Sequence, residues 1–217
     1  MNALTQAIGE YAEQHTTPMD AVLNGLYRET YLHRMNPRMM AGPVQGKFLQ
    51  FLCQLMHPEK VLEIGTFTGF ATICMARGMD ENSLLTTIEA NEEYEDTIRR
   101  YLEKAGVEDQ VKLIIGDAKQ VIPTLENGFD LVYIDADKRH SADYYDLVVD
   151  KVRPNGLILV DNVLWDGKVT DDQVHDTDTQ AIRAFNDKVQ NDSRVENVLL
   201  PMRDGLMMIQ KLPLPVF

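Results

Sequence analysis

The sequence predicts an α/β fold: a doubly wound, mostly parallel seven-stranded sheet with a C-terminal antiparallel hairpin and extra N-terminal helices. From residue 61 onward, short apolar runs alternate with amphipathic stretches, which is typical of parallel strands joined by crossover helices. Before residue 58 the apolar residues recur at helical spacing alone. We therefore expect one domain, residues 1–217, made of an N-terminal helical cap (1–57) and an α/β core (58–217).

The cap is predicted to contain three helices. Apolar residues recur at helical spacing between residues 4 and 12, and a second periodic stretch runs from Asp20 to Tyr31. A third stretch, from Val44 to Met56, lies between the Gly42-Pro43 break and Pro58, where prolines disfavour continuing the helix on either side.

The core is predicted to contain seven strands and five helices. The last two strands are separated by residues 200–205, a turn-rich segment short enough for a hairpin, and the acidic stretch 171–178 is predicted to be a mobile loop. The predicted strands are 61–64, 83–88, 111–115, 129–134, 157–160, 195–199 and 206–209. The predicted helices are 69–77, 92–105, 118–125, 141–151 and 179–190.

The composition excludes several classes of protein. With 21 basic and 34 acidic residues the formal net charge is −13, so the long-range field repels nucleic acid and anionic membranes. No apolar run approaches the ~18 residues of a membrane span, and the N-terminus lacks the features of a signal peptide. Cys53 and Cys74 lie in apolar surroundings, as buried reduced thiols do. We expect a cytoplasmic protein with no nucleic-acid or membrane partner.

The turn after the first strand, residues 63–69, indicates the type of cofactor. A dinucleotide fingerprint would place glycines at Phe67 and Phe70, and the Phe67 side chain blocks the close approach of backbone to a pyrophosphate. Glu63 adds a carboxylate that suits an ammonium or sulfonium better than a phosphate. These features favour S-adenosylmethionine over NAD, which stays open as an alternative.

Two further positions match the rest of such a cofactor. Glu89 ends the second strand, where a carboxylate accepts hydrogen bonds from ribose hydroxyls, and Asp117-Ala118 follows the third strand, where an adenine would lie. The structural alternative is that Gly65 and Gly69 serve only a tight turn and that Glu89 is a solvated strand end.

Acidic side chains follow two strands that are predicted to be neighbours. If the strands are parallel, Asp135, Asp161 and Asn162 converge at one edge of the sheet. Two carboxylates and an amide oxygen are hard ligands that suit magnesium, calcium or manganese, and the absence of Cys or His nearby argues against zinc. The alternative is that Asp135 and Asp137 cap the helix near Ser141 and that residues 161–162 form an ordinary turn.

Lys138 is the candidate general base. Burial and a neighbouring cation both disfavour its ammonium form, and a neutral lysine is a competent base. The alternative is a surface salt bridge from Lys138 to Asp137.

These motifs resemble the cation-dependent, S-adenosylmethionine-dependent O-methyltransferases of the caffeoyl-CoA and catechol type. Residues 40–52 also resemble that family's helix before the first strand. The resemblance implies a class I methyltransferase, Rossmann-like fold and a homodimer. It is carried by VLEIGTFTG (61–69), IEANEEY (88–94), IIGDA (114–118), FDLVYIDADK (129–138) and LILVDNVLWDGKV (157–169).

The resemblance also assigns roles to individual residues. It implies metal ligation by Asp135, Asp161 and Asn162, and catalysis by Lys138 together with Asp135. Asp166 matches a substrate-contacting position, and Trp165 beside it either walls an aromatic acceptor or simply packs. The positions that it implies for cofactor binding are Ala41, Glu63, Gly65, Thr66, Ala71, Glu89, Asp117, Ala118, Asp135 and Asp137.

Two positions depart from the family pattern. Ala71 stands where the family usually has a serine hydroxyl for the cofactor's carboxylate, with Thr72 or backbone N–H groups as the possible compensation. Arg139 and His140 follow the lysine, where the family often has Asn or Tyr.

The activity predicted is methyl transfer from S-adenosylmethionine to one hydroxyl of a vicinal-diol aromatic, assisted by a divalent cation, with magnesium the first choice. A metal-independent small-molecule methyltransferase, a catalytically silent cofactor-binding module and an NAD oxidoreductase remain as alternatives.

Overall fold

A computed structural model of the chain describes residues 3–213. Its seven strands form one sheet in the order β3-β2-β1-β4-β5-β7-β6. The strands are β1 (Lys60–Ile64), β2 (Leu84–Glu89), β3 (Val111–Ile115), β4 (Phe129–Ile134), β5 (Val152–Asp161), β6 (Val195–Leu200) and β7 (Leu206–Lys211). The α-helices are α1 (Ala3–Gln14), α2 (Ala21–His33), α3 (Pro43–Met56), α4 (Phe70–Ala76), α5 (Glu95–Ala105), α6 (Ala118–Val121), α7 (Ser141–Val149) and α8 (Thr177–Gln190).

The strand directions confirm the predicted fold class. β1 pairs with β4, β4 with β5, and β2 with β3, all in parallel. β7 is antiparallel to both β5 and β6, so the predicted C-terminal hairpin inserts its second strand next to the parallel core. The result is a mixed sheet with helices on both sides, the architecture that the alternation of apolar runs predicts.

The described residues form two compact units. The first contains residues up to Glu59 together with Thr66–Gly116, and it holds α1–α5, β2 and β3. The second contains Lys60–Gly65 and the residues from Asp117 onward, with β1, β4–β7 and α6–α8.

The helix boundaries follow from local chemistry. The Asp20 carboxylate accepts a hydrogen bond from Leu23 N at 2.9 Å and begins α2, and Pro43 occupies the first turn of α3, where no donor is needed. His57, in the left-handed region at φ 47°, ends α3. Cys53 on α3 and Cys74 are both buried and form no disulfide within the described residues, and burial raises the pKa of the Cys53 thiol to about 12.

Two elements differ from their predicted lengths by four or more residues. β5 begins at Val152, five residues before the predicted start, because a register shift in its pairing with β4 accommodates Pro154 and the left-handed Asn155 (φ 62°). α6 ends at Val121, four residues before the predicted end, and continues only as a 3₁₀ turn containing Pro123.

The acidic stretch 171–178 was predicted as a loop, but its last residues belong to a helix. Asp176 caps α8, and its carboxylate accepts a hydrogen bond from Thr179 N at 3.0 Å. Thr177 and Asp178 form the first turn of that helix, two residues ahead of the predicted start.

Candidate active site

The predicted acidic residues of β4 and β5 come together. The two strands are parallel with Ile134 opposite Val160, so Asp135 and Asp161 follow at matching positions. The Tyr133 hydroxyl donates toward Asp135 Oδ2 at 3.3 Å and Asp161 Oδ2 at 3.5 Å. One hydroxyl therefore bridges both carboxylates.

Tyr133 is a site residue that sequence reasoning missed. It is fully buried, and burial raises the pKa of its phenol well above the usual value, with further increases from the carboxylates of Asp135, Asp161 and Glu63. The phenol therefore stays protonated and available as a donor. Tyr133 stands two residues before Asp135, and side chains at that spacing point to the same face of a strand. This spacing is the feature of the sequence from which Tyr133 could have been predicted as a site residue.

Lys138 pairs with Asp135. Its Nζ lies 2.6 Å from Asp135 Oδ1, and the two side chains are only 15% and 13% exposed. The alternative partner, Asp137, instead accepts a hydrogen bond from Arg139 N at 3.1 Å and caps the short 3₁₀ turn 138–140. Asp137 thus caps the 3₁₀ turn that precedes the helix at Ser141, whose own N-cap is His140, and Lys138 pairs with Asp135 instead of forming the alternative surface salt bridge to Asp137.

Asn162 follows Asp161 in a tight left-handed turn. Its φ is 64°, and its backbone N–H donates to Asp161 Oδ1 at 2.9 Å. Asp204, in the turn between β6 and β7, accepts a hydrogen bond at its carboxylate from the backbone N–H of Asp166. Burial raises the pKa of Asp204, against a smaller opposing effect of that hydrogen bond. The sequence did not indicate this contact.

Trp165 and Asp166 occupy the loop after Asn162, and both are in the left-handed region, at φ 49° and 53°. Asp166 is exposed, and its backbone N–H donates to the Asp204 carboxylate. Trp165 is partly exposed, but its indole Nε1 is buried and makes no hydrogen bond within residues 3–213.

Gly65, directly after β1, packs against the backbone of Asp135, which follows β4. Its φ is 97°, and a Cβ atom there would lie 2.3 Å from the carbonyl oxygen of Asp135. Asp135 N also donates to Ile64 O at 2.8 Å. Only glycine permits this approach, so Gly65 has a packing role in addition to its predicted place at the cofactor turn.

The donor set fits a hard divalent cation. Asp135 and Asp161 provide carboxylate oxygens that share contact with the Tyr133 hydroxyl, Asn162 provides an amide, and Lys138 offsets only one negative charge. No cluster of three or more His, Cys, Asp or Glu side chains with metal-binding potential occurs anywhere in the described chain, and the predicted set holds two carboxylates and one amide.

The first unit carries four predicted cofactor positions: Ala41, Thr66, Ala71 and Glu89. Glu89 is buried, so the alternative of a solvated strand end is wrong. Its carboxylate accepts hydrogen bonds from Phe67 N at 2.7 Å and Asn91 N at 2.9 Å, which anchor the turn after Gly65.

Burial dominates the ionisation of Glu89. It raises the pKa of the carboxyl, and the backbone donors around it, including Phe67 N and Asn91 N, act in the opposite direction. Thr66 is held by a 2.5 Å hydrogen bond between its hydroxyl and that of Thr87. Ala41 and Ala71 are both buried.

The second unit carries the remaining positions. Glu63 is fully buried at the end of β1, and Ala118 is buried at the start of α6. Asp117 is exposed and caps α6 by accepting a hydrogen bond from Lys119 N at 2.9 Å. The carboxylates of Asp117 and Asp137 therefore each have a capping role.

None of the helices in residues 3–213 has the length and apolar character needed to cross a membrane.

The chain resembles known proteins over nearly its whole length. The family model described as O-methyltransferase matches residues 13–212. A catechol O-methyltransferase of Niastella koreensis is 36% identical over 170 residues, covering 76% of this chain and 77% of the relative.

A second curated relative and a solved structure are also similar to this chain. A probable caffeoyl-CoA O-methyltransferase 2 of Dictyostelium discoideum is 32% identical over 212 residues, which cover 95% of this chain and 92% of that protein. The solved structure of a Bacillus cereus O-methyltransferase in complex with SAH has a TM-score of 0.87 and 31% identity, covering 94% of this chain and 97% of that one. The chain belongs to the O-methyltransferase family.

Proposed function

We propose that this protein transfers a methyl group from S-adenosylmethionine to a hydroxyl of a catechol-like aromatic, with a divalent cation held by Asp135, Asp161 and Asn162. The observation that carries the proposal is the convergence of two carboxylates and a buried lysine at the ends of β4 and β5. The names of the Niastella koreensis and Dictyostelium discoideum relatives support the acceptor class, and the SAH complex of the Bacillus cereus structure supports the cofactor.

The bound groups supply the reactive chemistry. S-adenosylmethionine supplies a methyl on a sulfonium, so that transfer forms an O–C bond, breaks a C–S bond and leaves S-adenosylhomocysteine. A divalent cation held by Asp135, Asp161 and Asn162 would supply Lewis-acid polarisation of an acceptor hydroxyl, which would make its proton easier to remove.

The residues of the chain position the groups and move the proton. In its neutral amine form, Lys138 accepts the hydroxyl proton at Nζ and becomes the ammonium that pairs with Asp135, and the 2.6 Å contact with Asp135 orients that atom. Tyr133 holds the two carboxylates in place. Trp165 is proposed to wall the aromatic ring and Asp166 to contact the acceptor.

Transfer of labelled methyl from S-adenosylmethionine to a panel of catechols, with Mg²⁺ and with EDTA, tests the proposal. We expect turnover that EDTA abolishes and added Mg²⁺ restores. Turnover that is indifferent to EDTA would remove the cation and leave a metal-independent methyltransferase. Cofactor binding without turnover on any catechol would instead indicate a silent binding module.

A further inference from the structure

We infer that Arg183 is a positioning residue whose guanidinium fixes the loop between β5 and α8, residues 163–174, and with it Trp165 and Asp166. We call residues 163–174 the acceptor loop. The inference rests on the proposed function, in which Trp165 and Asp166 meet the methyl acceptor. Arg183 lies on α8, outside the loop, and has none of the catalytic, cofactor-binding or metal-binding roles proposed above.

The Arg183 guanidinium donates hydrogen bonds to four backbone carbonyls of the acceptor loop. Nε donates to Val169 O at 3.1 Å, and Nη1 donates to Val174 O at 2.8 Å. Nη2 donates to two carbonyls, that of Lys168 at 3.0 Å and that of Asp171. All three nitrogens of the side chain are therefore engaged, and one group joins backbone from residue 168 to residue 174.

This arrangement suits a guanidinium better than any other cationic group. A guanidinium holds five N–H donors in a rigid planar fork, whereas the ammonium of lysine has three donors on a single atom. A fork reaches carbonyls that approach its separate nitrogens, and a single atom does not. Lysine at position 183 would therefore keep the charge but lose most of the contacts.

The acceptor loop depends on support from outside because it is not a regular helix. The backbone of residues 165–167 is left-handed, with φ angles of 49°, 53° and 78°. α8 provides a fixed base, since Ile182 and Phe185, on either side of Arg183, are buried. Arg183 thus connects an irregular segment to a helix that the core holds in place.

A second side chain of α8 supports the same loop at its start. Asn186 lies three residues after Arg183, so both are on one side of the helix, and its Nδ2 donates to Val163 O at 2.9 Å. Trp165 and Asp166 lie between the two points of support. Arg183 holds the backbone that follows them.

The fluorescence of Trp165 tests the inference because it is the chain's only tryptophan and its indole Nε1 is buried. Arg183→Met keeps the apolar stem and removes every donor. We expect a shift of the emission to longer wavelength and an increase of about twofold in the acrylamide quenching constant, since a loop without its hydrogen bonds opens more often. Lys188→Met is the matched control on α8, because Lys188 pairs with Asp146 and not with the loop, and is expected to leave both values unchanged.

The conservative variant Arg183→Lys separates the guanidinium from its charge. We expect the quenching constant to increase as it does in Arg183→Met. Native quenching in Arg183→Lys would overturn the inference, because a point charge would then suffice. Circular dichroism of each sample reports the fold.

Steady-state kinetics with a catechol separate positioning from general damage. We expect KM for the catechol to rise about tenfold in Arg183→Met, since a small misplacement of groups that contact a substrate is costly. We expect kcat and the Kd for S-adenosylmethionine to change far less, because contacts made equally in the ground state and the transition state affect KM alone. An equal loss of turnover and cofactor affinity would overturn the inference.

The native protein gives a readout that does not depend on how well a variant folds. The Nε–H of Arg183 is bonded to Val169 O, so we expect its hydrogen exchange to be slower than that of the exposed Arg28. The two nuclear magnetic resonance signals are assigned by their absence in Arg183→Lys and Arg28→Lys. Equal exchange rates would overturn the inference.

The outcomes distinguish this inference from the proposed function. If the native protein methylates no catechol, the proposed function fails and the acceptor role of the loop fails with it, whatever the fluorescence shows. If the native protein methylates catechols and Arg183→Met leaves either the Trp165 quenching or the catechol KM unchanged, only the role of Arg183 fails.

Discussion

The side chains of Asp135, Lys138 and Asp161 in the candidate site are each held in position by a neighbouring side chain. Lys138 is held by Asp135, and Asp135 and Asp161 are held by the hydroxyl of Tyr133. The types and spacing of the acidic residues and the lysine follow from two segments of sequence, residues 129–138 and 157–162. The contact between Tyr133 and Asp161 follows only from the pairing of β4 with β5.

Replacing Lys138 with Ala tests its role as a base. We expect turnover at neutral pH to fall by about 10²–10⁴-fold, since general-base catalysis contributes that much, while cofactor affinity changes little. Lys188→Ala is the control, because Lys188 pairs with Asp146 on the surface, away from the acidic turn. Steady-state kinetics and cofactor titration give the two readouts, and an equal loss of turnover and affinity would contradict the assignment.

Replacing Ala71 with Ser restores the hydroxyl that the family pattern carries. One added hydrogen bond is worth about 0.5–1.5 kcal/mol, so the Kd for S-adenosylmethionine should fall about 2- to 13-fold. Isothermal titration calorimetry measures it, with Ala184→Ser on the exposed face of α8 as the control. An unchanged Kd would show that position 71 does not contact the cofactor.

At the scale of elements, the β1–α4 turn depends on close backbone contacts as well as on its glycines. The Glu89 carboxylate anchors the turn through Phe67 N, and Gly65 approaches the carbonyl of Asp135 within the second unit. The glycine pattern of residues 65–69 is visible in the sequence. Asp135, whose carbonyl makes Gly65 irreplaceable, is 70 residues further along the chain, so this contact is not visible in the sequence.

Replacing Gly65 with Ala should destabilise the protein more than the backbone conformation alone explains. A left-handed residue other than glycine costs roughly 1–2 kcal/mol, and the Cβ at position 65 also meets the Asp135 carbonyl. Gly128→Ala is the matched control, since its φ of 98° is nearly the same and nothing lies within 4 Å of its Cβ position. Urea denaturation compares the two free energies of unfolding, and equal losses would refute the packing role.

At the scale of the whole molecule, the response to acid depends in part on the ion pair between Asp192 and Arg194, whose side chains are 12% and 45% exposed. Asp192, after α8, accepts hydrogen bonds from Tyr145 Oη at 2.9 Å and Arg194 Nη2 at 2.7 Å. These contacts, led by that with Arg194, hold the pKa of Asp192 well below its usual value against the effect of burial.

The lowered pKa sets the direction of the pH dependence. Because Asp192 is harder to protonate in the folded than in the unfolded protein, its contribution is complete above the unfolded pKa of about 4. It is lost as the pH falls from there toward the folded value.

We therefore expect Asp192→Asn to lower the free energy of unfolding by about 1–3 kcal/mol at pH 7, and by progressively less below pH ~4. Denaturation at several pH values measures the difference, with the exposed Asp187→Asn as the control. A difference that does not shrink in acid would contradict the assigned pKa.

The sequence by itself determined the fold class, the strand boundaries to within two residues except at the start of β5, and the residue types of the candidate site. It could do so because apolar periodicity and the composition of turns are local properties. The start of β5 could not be predicted from the sequence because Pro154 interrupts the apolar run. The strand continues across Pro154 only through the register shift in its pairing with β4.

Only the tertiary structure decided which side chains support the site. Tyr133 bridges two carboxylates that follow different strands, Lys138 pairs with Asp135 rather than with Asp137, and Asp204 in the turn between β6 and β7 accepts a hydrogen bond from Asp166 N. Each of the contacts that join strands depends on chain segments brought together by sheet pairing. Hydrogen bonds of that kind are determined by distance in space, which local sequence patterns do not record.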